Sequence, residues 1–127
     1  MALDHISVAV KDLEKSGEFY DIVFGFLDMT RISDRPATIG YGTRFPEFWI
    51  NARPDMEPVP IDTGSHIALR ARSEDLVSNC YNAALENGGS DAGEPGPRQA
   101  ALTAYFGAFF KDPDGNKVEV VTFPKPE

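Results

Sequence analysis

Hydrophobic and polar positions alternate through residues 3–10, LDHISVAV, with the two-residue period of a strand. Leu3, His5, Ser7 and Ala9 share one face, and Ile6, Val8 and Val10 the other. At Asp12 the period changes. Behind that capping aspartate, Leu13, Phe19, Tyr20, Val23 and Phe24 recur at helical spacing, and Gly25 stands where a left-handed C-cap would end the helix. The short runs MTRIS, ATIGYG and PEFWI then read as strands, and NARPDMEPVPIDTG, with three prolines, reads as a connector.

The pattern then starts again. SHIALRAR (65–72) is a strand with Ile67 and Leu69 on one face and His66, Ala68 and Arg70 on the other. Ser73 caps a helix carrying Leu76, Val77, Cys80, Tyr81, Ala84 and Leu85, which Gly88-Gly89 ends. Residues 94–98, EPGPR, read as loop. ALTAYFGAFF and KVEVV are strands joined by Asp112-Pro113-Asp114-Gly115-Asn116, a turn with Gly available for positive φ. Sliding the second half back by 61 positions superimposes His66 on His5, Ile67 on Ile6, Leu69 on Val8, Ser73 on Asp12 and Tyr81 on Tyr20. A shared offset for histidine, strand face, cap and tyrosine predicts two copies of one βαβββ unit, about 1–60 and about 61–127. At 127 residues these make one α+β domain.

Charge narrows the partners. Twelve basic against twenty acidic residues give −8 with no basic cluster, which argues against nucleic acid and anionic membranes. A single cysteine, Cys80, excludes an internal disulfide and a cysteine-built zinc site. MALDHISVAV lacks the form of a signal peptide, and no window approaches a spanning length of ~20 apolar residues. A cytoplasmic protein is expected.

Three segments, DHISVAVKDLEKSGEFYDIVFGF, GSHIALRARS and YFGAFFKDPDGNKVEVV, resemble the vicinal oxygen chelate superfamily of glyoxalases, bleomycin- and fosfomycin-resistance proteins and extradiol dioxygenases. The closing F-x-D-P-D-G-N-x-V-E is the most specific piece. The resemblance implies two βαβββ units forming a curved mixed-sheet cup, a homodimer and a small-molecule substrate. It also implies one divalent metal ion (Fe, Mn, Ni or Zn), with ligands on the first strand of each unit and the last strand of the second: His5, His66 and Glu119. Members with four protein ligands add one from the fourth strand of the first unit. Here that strand offers Trp49 near the position, and Glu47 only if the register allows it.

Strand parity bears on these assignments. With Val118 and Val120 against a helix, Lys117, Glu119 and Val121 share the cup face with His66, and pseudo-twofold symmetry of the units would bring His5 to the same point. A carboxylate among imidazoles in a cavity is costly without a cation, and two His with one carboxylate suit a divalent metal. On a strand with one wet face, an alternating glutamate also has a plain solvent-facing reading. If Lys111 pairs with Lys117, Phe109 lies opposite Glu119, and Gly107 and Tyr105 continue along the cup. Tyr105 is then either a catalytic hydroxyl or an aromatic filler. Arg70 could pair with an anionic substrate or with Glu119, but a rim salt bridge is the expected role, and Cys80, Tyr20 and Tyr81 are expected in structural roles. The implied function is a glyoxalase-like lyase or isomerase in which either Glu119 or a metal-bound hydroxide moves a proton. The alternatives are a sequestering protein of the bleomycin-resistance kind, a dioxygenase and an antibiotic-modifying enzyme.

Overall fold

Each helix begins where a short polar side chain takes up a free backbone N–H. In the computed structural model, which describes residues 2–60 and 62–124, Asp12 accepts from Lys15 N (3.1 Å) ahead of α1 (Leu13–Gly25). Ser73 accepts from Leu76 N (3.2 Å) ahead of α2 (Glu74–Glu86). Caps of this kind stabilise a helix by about 1 kcal/mol each. Gly88 ends the second helix with φ +101°. The first ends differently from expectation: Gly25 stays helical, Phe26 keeps φ −74°, and the left-handed residue is Asp28 at φ 57°. Aspartate tolerates that region better than most non-glycine residues.

The strands are β1 (Ile6–Val10), β2 (Thr30–Asp34), β3 (Thr38–Gly42), β4 (Phe48–Ala52), β5 (Ile67–Arg70), β6 (Ser90–Gln99), β7 (Ala104–Lys111) and β8 (Lys117–Thr122). They form two four-stranded mixed sheets, ordered β1-β4-β3-β2 and β5-β8-β7-β6. The halves thus repeat one topology, each with a parallel pair, β1 with β4 and β5 with β8. Asn51 and Ala52 extend β4 into the stretch read as connector, and Ile61 of that connector lies outside the described residues.

Residues 94–98 are not loop but part of β6. Pro95 and Pro97 are tolerated because β6 is the edge of its sheet, where a missing N–H leaves no ladder bond unmade, and its register breaks around Gly93. On the helix-facing side, Val10, Ile50, Phe48, Val118, Val120 and Phe110 join Phe19, Tyr20, Val23, Phe24, Val77 and Cys80 in one core spanning both units. Each such side chain contributes about 1.5–3 kcal/mol when fully buried.

A polar clamp also ties the units. Buried Asp112 accepts from Tyr20 Oη (2.8 Å), Asn116 N (2.8 Å), Asp114 N (2.9 Å) and Asn116 Nδ2 (2.9 Å). Asn116 Nδ2 also donates to Ala9 O at the end of β1 (2.8 Å). The Asp-Pro-Asp-Gly-Asn turn, with Gly115 at φ +91°, is therefore the joint on which the first unit rests. Among the described residues no helix is long and apolar enough to cross a membrane.

Candidate functional site

On β5 the alternation leaves Ile67 and Leu69 half-buried towards α2 and exposes Ala68 and Arg70 on the opposite, concave face, which His66 extends. Register pairs Ala68 with Glu119 and Phe109 with Glu119, so β5, β8 and β7 bring His66, Glu119 and Phe109 together. His66 Nε2 lies 3.3 Å from Glu119 Oε1, and Tyr105 Oη donates to Glu119 Oε2 at 2.8 Å. Glu119 is only 5% exposed on a face otherwise open, so its charge is satisfied by specific partners and not by bulk water. The hydrogen bond to Glu119, followed by burial, raises the Tyr105 hydroxyl above its ordinary range, so it is a donor at neutral pH.

The other nitrogen of each imidazole is also held. His66 Nδ1 sits 2.9 Å from Gly64 O, and His5 Nδ1 2.6 Å from Asp4 Oδ1. A carbonyl or carboxylate acceptor makes Nδ1 the donor, and in the neutral ring the lone pair is then on Nε2, the arrangement that metal-ligating histidines adopt. The His66 ring meets the Phe109 ring edge-on (5.2 Å), and Lys117 Nζ lies over the same ring (4.8 Å) while pairing with Asp62 (2.8 Å). That bond, ahead of the Gly64 N–H, lowers the Asp62 carboxyl.

Not every expected residue joins this cluster. His5 is exposed just ahead of β1, and among the described residues no three His, Cys, Asp or Glu side chains of one chain converge. Symmetry of sequence positions thus does not place both imidazoles at one point within a single chain. The register resolves the open question on β4: Ser7 faces Trp49 just as Ala68 faces Glu119. Trp49 therefore occupies the position in the first unit that Glu119 holds in the second, and Glu47 flanks His5 through the Ile6 N to Glu47 O bond (2.9 Å). Arg70 makes no rim salt bridge among the described residues. Its guanidinium lies over Phe123 (5.0 Å). Cys80 is buried and its thiol pushed up to about 12 by desolvation, which agrees with a core role. Tyr20 and Tyr81 are structural, bonded to Asp112 and Asp91.

Sequence reasoning missed Asp4 and Gly64 O as partners of the imidazoles, although an aspartate beside a histidine was a signal for the first. It also missed Arg98, which lies across from Tyr105 once β6 is a strand. A groove of about 470 Å3 opens beside Tyr105 and Phe123. A larger concavity, about 1110 Å3, lies away from both histidines, between the start of α1 and the β2–β3 turn.

A duplicated βαβββ fold with a His-Glu pair on the concave face of one unit defines a class, and comparison with known proteins agrees. The chain belongs to the Glyoxalase/Bleomycin resistance protein/Dioxygenase superfamily, whose profile matches residues 2–120. It is 34% identical to a "Probable lactoylglutathione lyase" of Synechocystis sp., covering 95% of each chain. It is 32% identical to the lactoylglutathione lyase of Salmonella typhimurium, covering 95% of this chain and 92% of the relative. A glyoxalase/bleomycin resistance protein from Albidiferax ferrireducens superposes with TM-score 0.83 at 30% identity, over 95% of this chain and 98% of that one.

Proposed function

We propose that the protein is a metal-dependent lyase or isomerase of the glyoxalase kind, acting on a small substrate with two neighbouring oxygens. The observation that carries this is the state of the two histidines: each has Nδ1 committed to an oxygen acceptor, leaving Nε2 outward, and that of His66 faces a buried carboxylate oxygen. Two acceptors facing one another at 3.3 Å need a proton or a cation between them. The donor set, imidazole with carboxylate, suits a divalent ion. Because His5 stands apart in one chain, we assign the third ligand to His5 of a second copy in a homodimer. The exposure of both His5 and His66 supports that reading.

A divalent ion held by His66 and Glu119 would supply Lewis-acid polarisation of the substrate oxygens as negative charge develops. Proton movement falls to Glu119. Glu119 would leave the ion transiently, and because its Oε2 is anchored by Tyr105 the carboxyl stays at the site while Oε1 takes a proton from one substrate carbon and returns it to the neighbouring carbon. Tyr105 thus positions the base. A sequestering protein has no need of an acceptor pair prepared in this way.

The test is elemental analysis of purified protein, combined with complementation. His5→Ala and His66→Ala chains should each lose the ion while remaining folded, and co-refolding the two should restore part of it, because a mixed dimer rebuilds one intact site. Binding should weaken in acid, since an imidazole must shed its proton to coordinate. Full occupancy in the double variant would sink the assignment.

A further inference from the structure

His66 stands one residue ahead of Ile67, the first paired residue of β5, so the chain leading into it decides where its imidazole lies. That chain is the connector between the units, and it is fastened at two points. Val59 N–H donates to Asp114 O (2.9 Å) on the Asp-Pro-Asp-Gly-Asn turn. Gly115 leaves it room there, since a Cβ on that glycine would stand 2.8 Å from Val59 O. Further along, Asp62 Oδ2 meets Lys117 Nζ of β8 at 2.8 Å. The other oxygen of that carboxylate, Oδ1, accepts the Gly64 N–H (2.8 Å). This is an aspartate side-chain turn, and Gly64 sits in it at φ +89°.

From Gly64 the contacts run in a circle. Its carbonyl oxygen lies 2.9 Å from His66 Nδ1 and accepts from it. The His66 ring meets Phe109 edge-on with centroids 5.2 Å apart, and Lys117 Nζ lies 4.8 Å from the centroid of the same phenyl ring. Lys117 thus supports the imidazole by two routes: through Asp62 to the carbonyl that holds Nδ1, and through Phe109 to the ring it packs against. On β8, Lys117 also shares a face with Glu119, two residues on. The first unit is built differently. There Asp4, next to His5, takes Nδ1 directly at 2.6 Å. The matching position in the second unit is Ser65, and the carboxylate acts instead from Asp62, by way of a backbone carbonyl.

We infer that Asp62 and Lys117 are positioning residues: their ion pair ties down the connector so that His66 presents Nε2 to Glu119. The inference rests on the function proposed above and extends it to two residues outside the His66–Glu119 pair. An ion pair with one partner half in water contributes little to global stability. Its loss should therefore be felt at the imidazole and not in the unfolding midpoint.

The experiment uses the full chain, metal-free and then with zinc. In metal-free protein the imidazole C–H protons of His66, identified by their absence from His66→Ala, should show cross-relaxation with the Phe109 ring. Glu57→Ala, which removes a charge elsewhere on the connector, should keep that signal. Asp62→Ala and Lys117→Met should lose most of it, with urea midpoints close to that of the parent chain. Zinc affinity, from competition with a chromophoric chelator, should fall about tenfold in both variants, and Lys117→Arg should recover most of it. Lys117→Met also separates position from charge. Taking a cation from beside a divalent ion tightens binding by Coulomb's law, whereas a loosened His66 weakens it. Zinc held by Lys117→Met as tightly as by the parent chain, or more so, overturns the inference. So does an undisturbed His66–Phe109 signal in Asp62→Ala. If Asp62→Ala does not fold, Asp62→Asn replaces it, since the amide oxygen keeps the Gly64 N–H while the ion pair is lost, and the same two outcomes decide. A parent chain that binds no zinc refutes the metal function instead, and the His66–Phe109 signal then decides the inference alone.

Discussion

Tyr20→Phe removes one oxygen atom from the joint between the units. Tyr20 is fully buried, and its hydroxyl donates to Asp112 Oδ2 at 2.8 Å. Burial and then the Asp112 charge hold that hydroxyl well above its ordinary range, so it is a donor at any working pH. A hydrogen bond to a charged group contributes about 1.5–3 kcal/mol net. Because Oδ2 keeps the Asn116 side-chain N–H, the loss should fall near the lower end, about 2 kcal/mol. For a chain of this size that corresponds to a fall in Tm of roughly 6–8 °C. The internal control is Tyr81→Phe, the position 61 residues on, whose hydroxyl bonds Asp91 on the exposed edge strand (2.8 Å). It should cost about 0.5–1 kcal/mol. Calorimetry and urea unfolding at one fixed protomer concentration measure both, with m unchanged. The pH dependence has a definite sign. Burial raises the Asp112 carboxyl, opposed by its bonds to Asn116 and Tyr20. Without Tyr20 Oη it rises further, so the folded variant holds its proton to higher pH, and its deficit should narrow as pH falls through the carboxylate range. A Tyr20→Phe loss within 0.5 kcal/mol of zero, or no larger than that of Tyr81→Phe, would refute the clamp.

Three further outcomes follow from geometry. A Cβ at Gly107 would stand 2.9 Å from the Tyr105 ring, so Gly107→Ala should swing the ring off Glu119 and bring the Tyr105 ionisation down towards its ordinary range, read by ultraviolet titration. An unchanged titration would mean that the bond survives. Cys80, its thiol pushed up to about 12 by burial, should resist thiol reagents in native protein and react only on unfolding, so labelling at the unfolding rate is expected. Light scattering at micromolar concentration should return the mass of a dimer at low and moderate salt, and a monomer would contradict the shared site.

Much of this fold is legible in residue order because its determinants are local. Asp12 and Ser73 as caps, the period of β1 and β5, and the Asp112–Asn116 turn all depend on neighbours within a few positions. The turn in turn sets Lys111 opposite Lys117, and with it Phe109 and Tyr105 on the face of Glu119. Long-range facts were hidden. Whether Trp49 or Glu47 stands beside β1 depends on a parallel register set across some forty residues, which no local pattern encodes. Matching positions in two repeats show equivalence, not proximity, which is why His5 and His66 correspond without meeting. Prolines in 94–98 suggested loop because sequence does not say which strand will be an edge.

Trp49 has one more consequence. As the chain's single tryptophan, standing where the other unit carries Glu119 and one register step from His5, it is an optical reporter already in place. Its emission comes from the half-buried concave face of the first unit alone, while Glu119 and Tyr105 belong to the second. Fluorescence therefore distinguishes the halves: a ligand seated only on the second unit of an isolated chain leaves the signal unchanged, whereas closing that face against a His5-bearing face of another copy moves it. Energy transfer from the four tyrosines to this one indole, followed on dilution, would read dissociation of the copies without any added label.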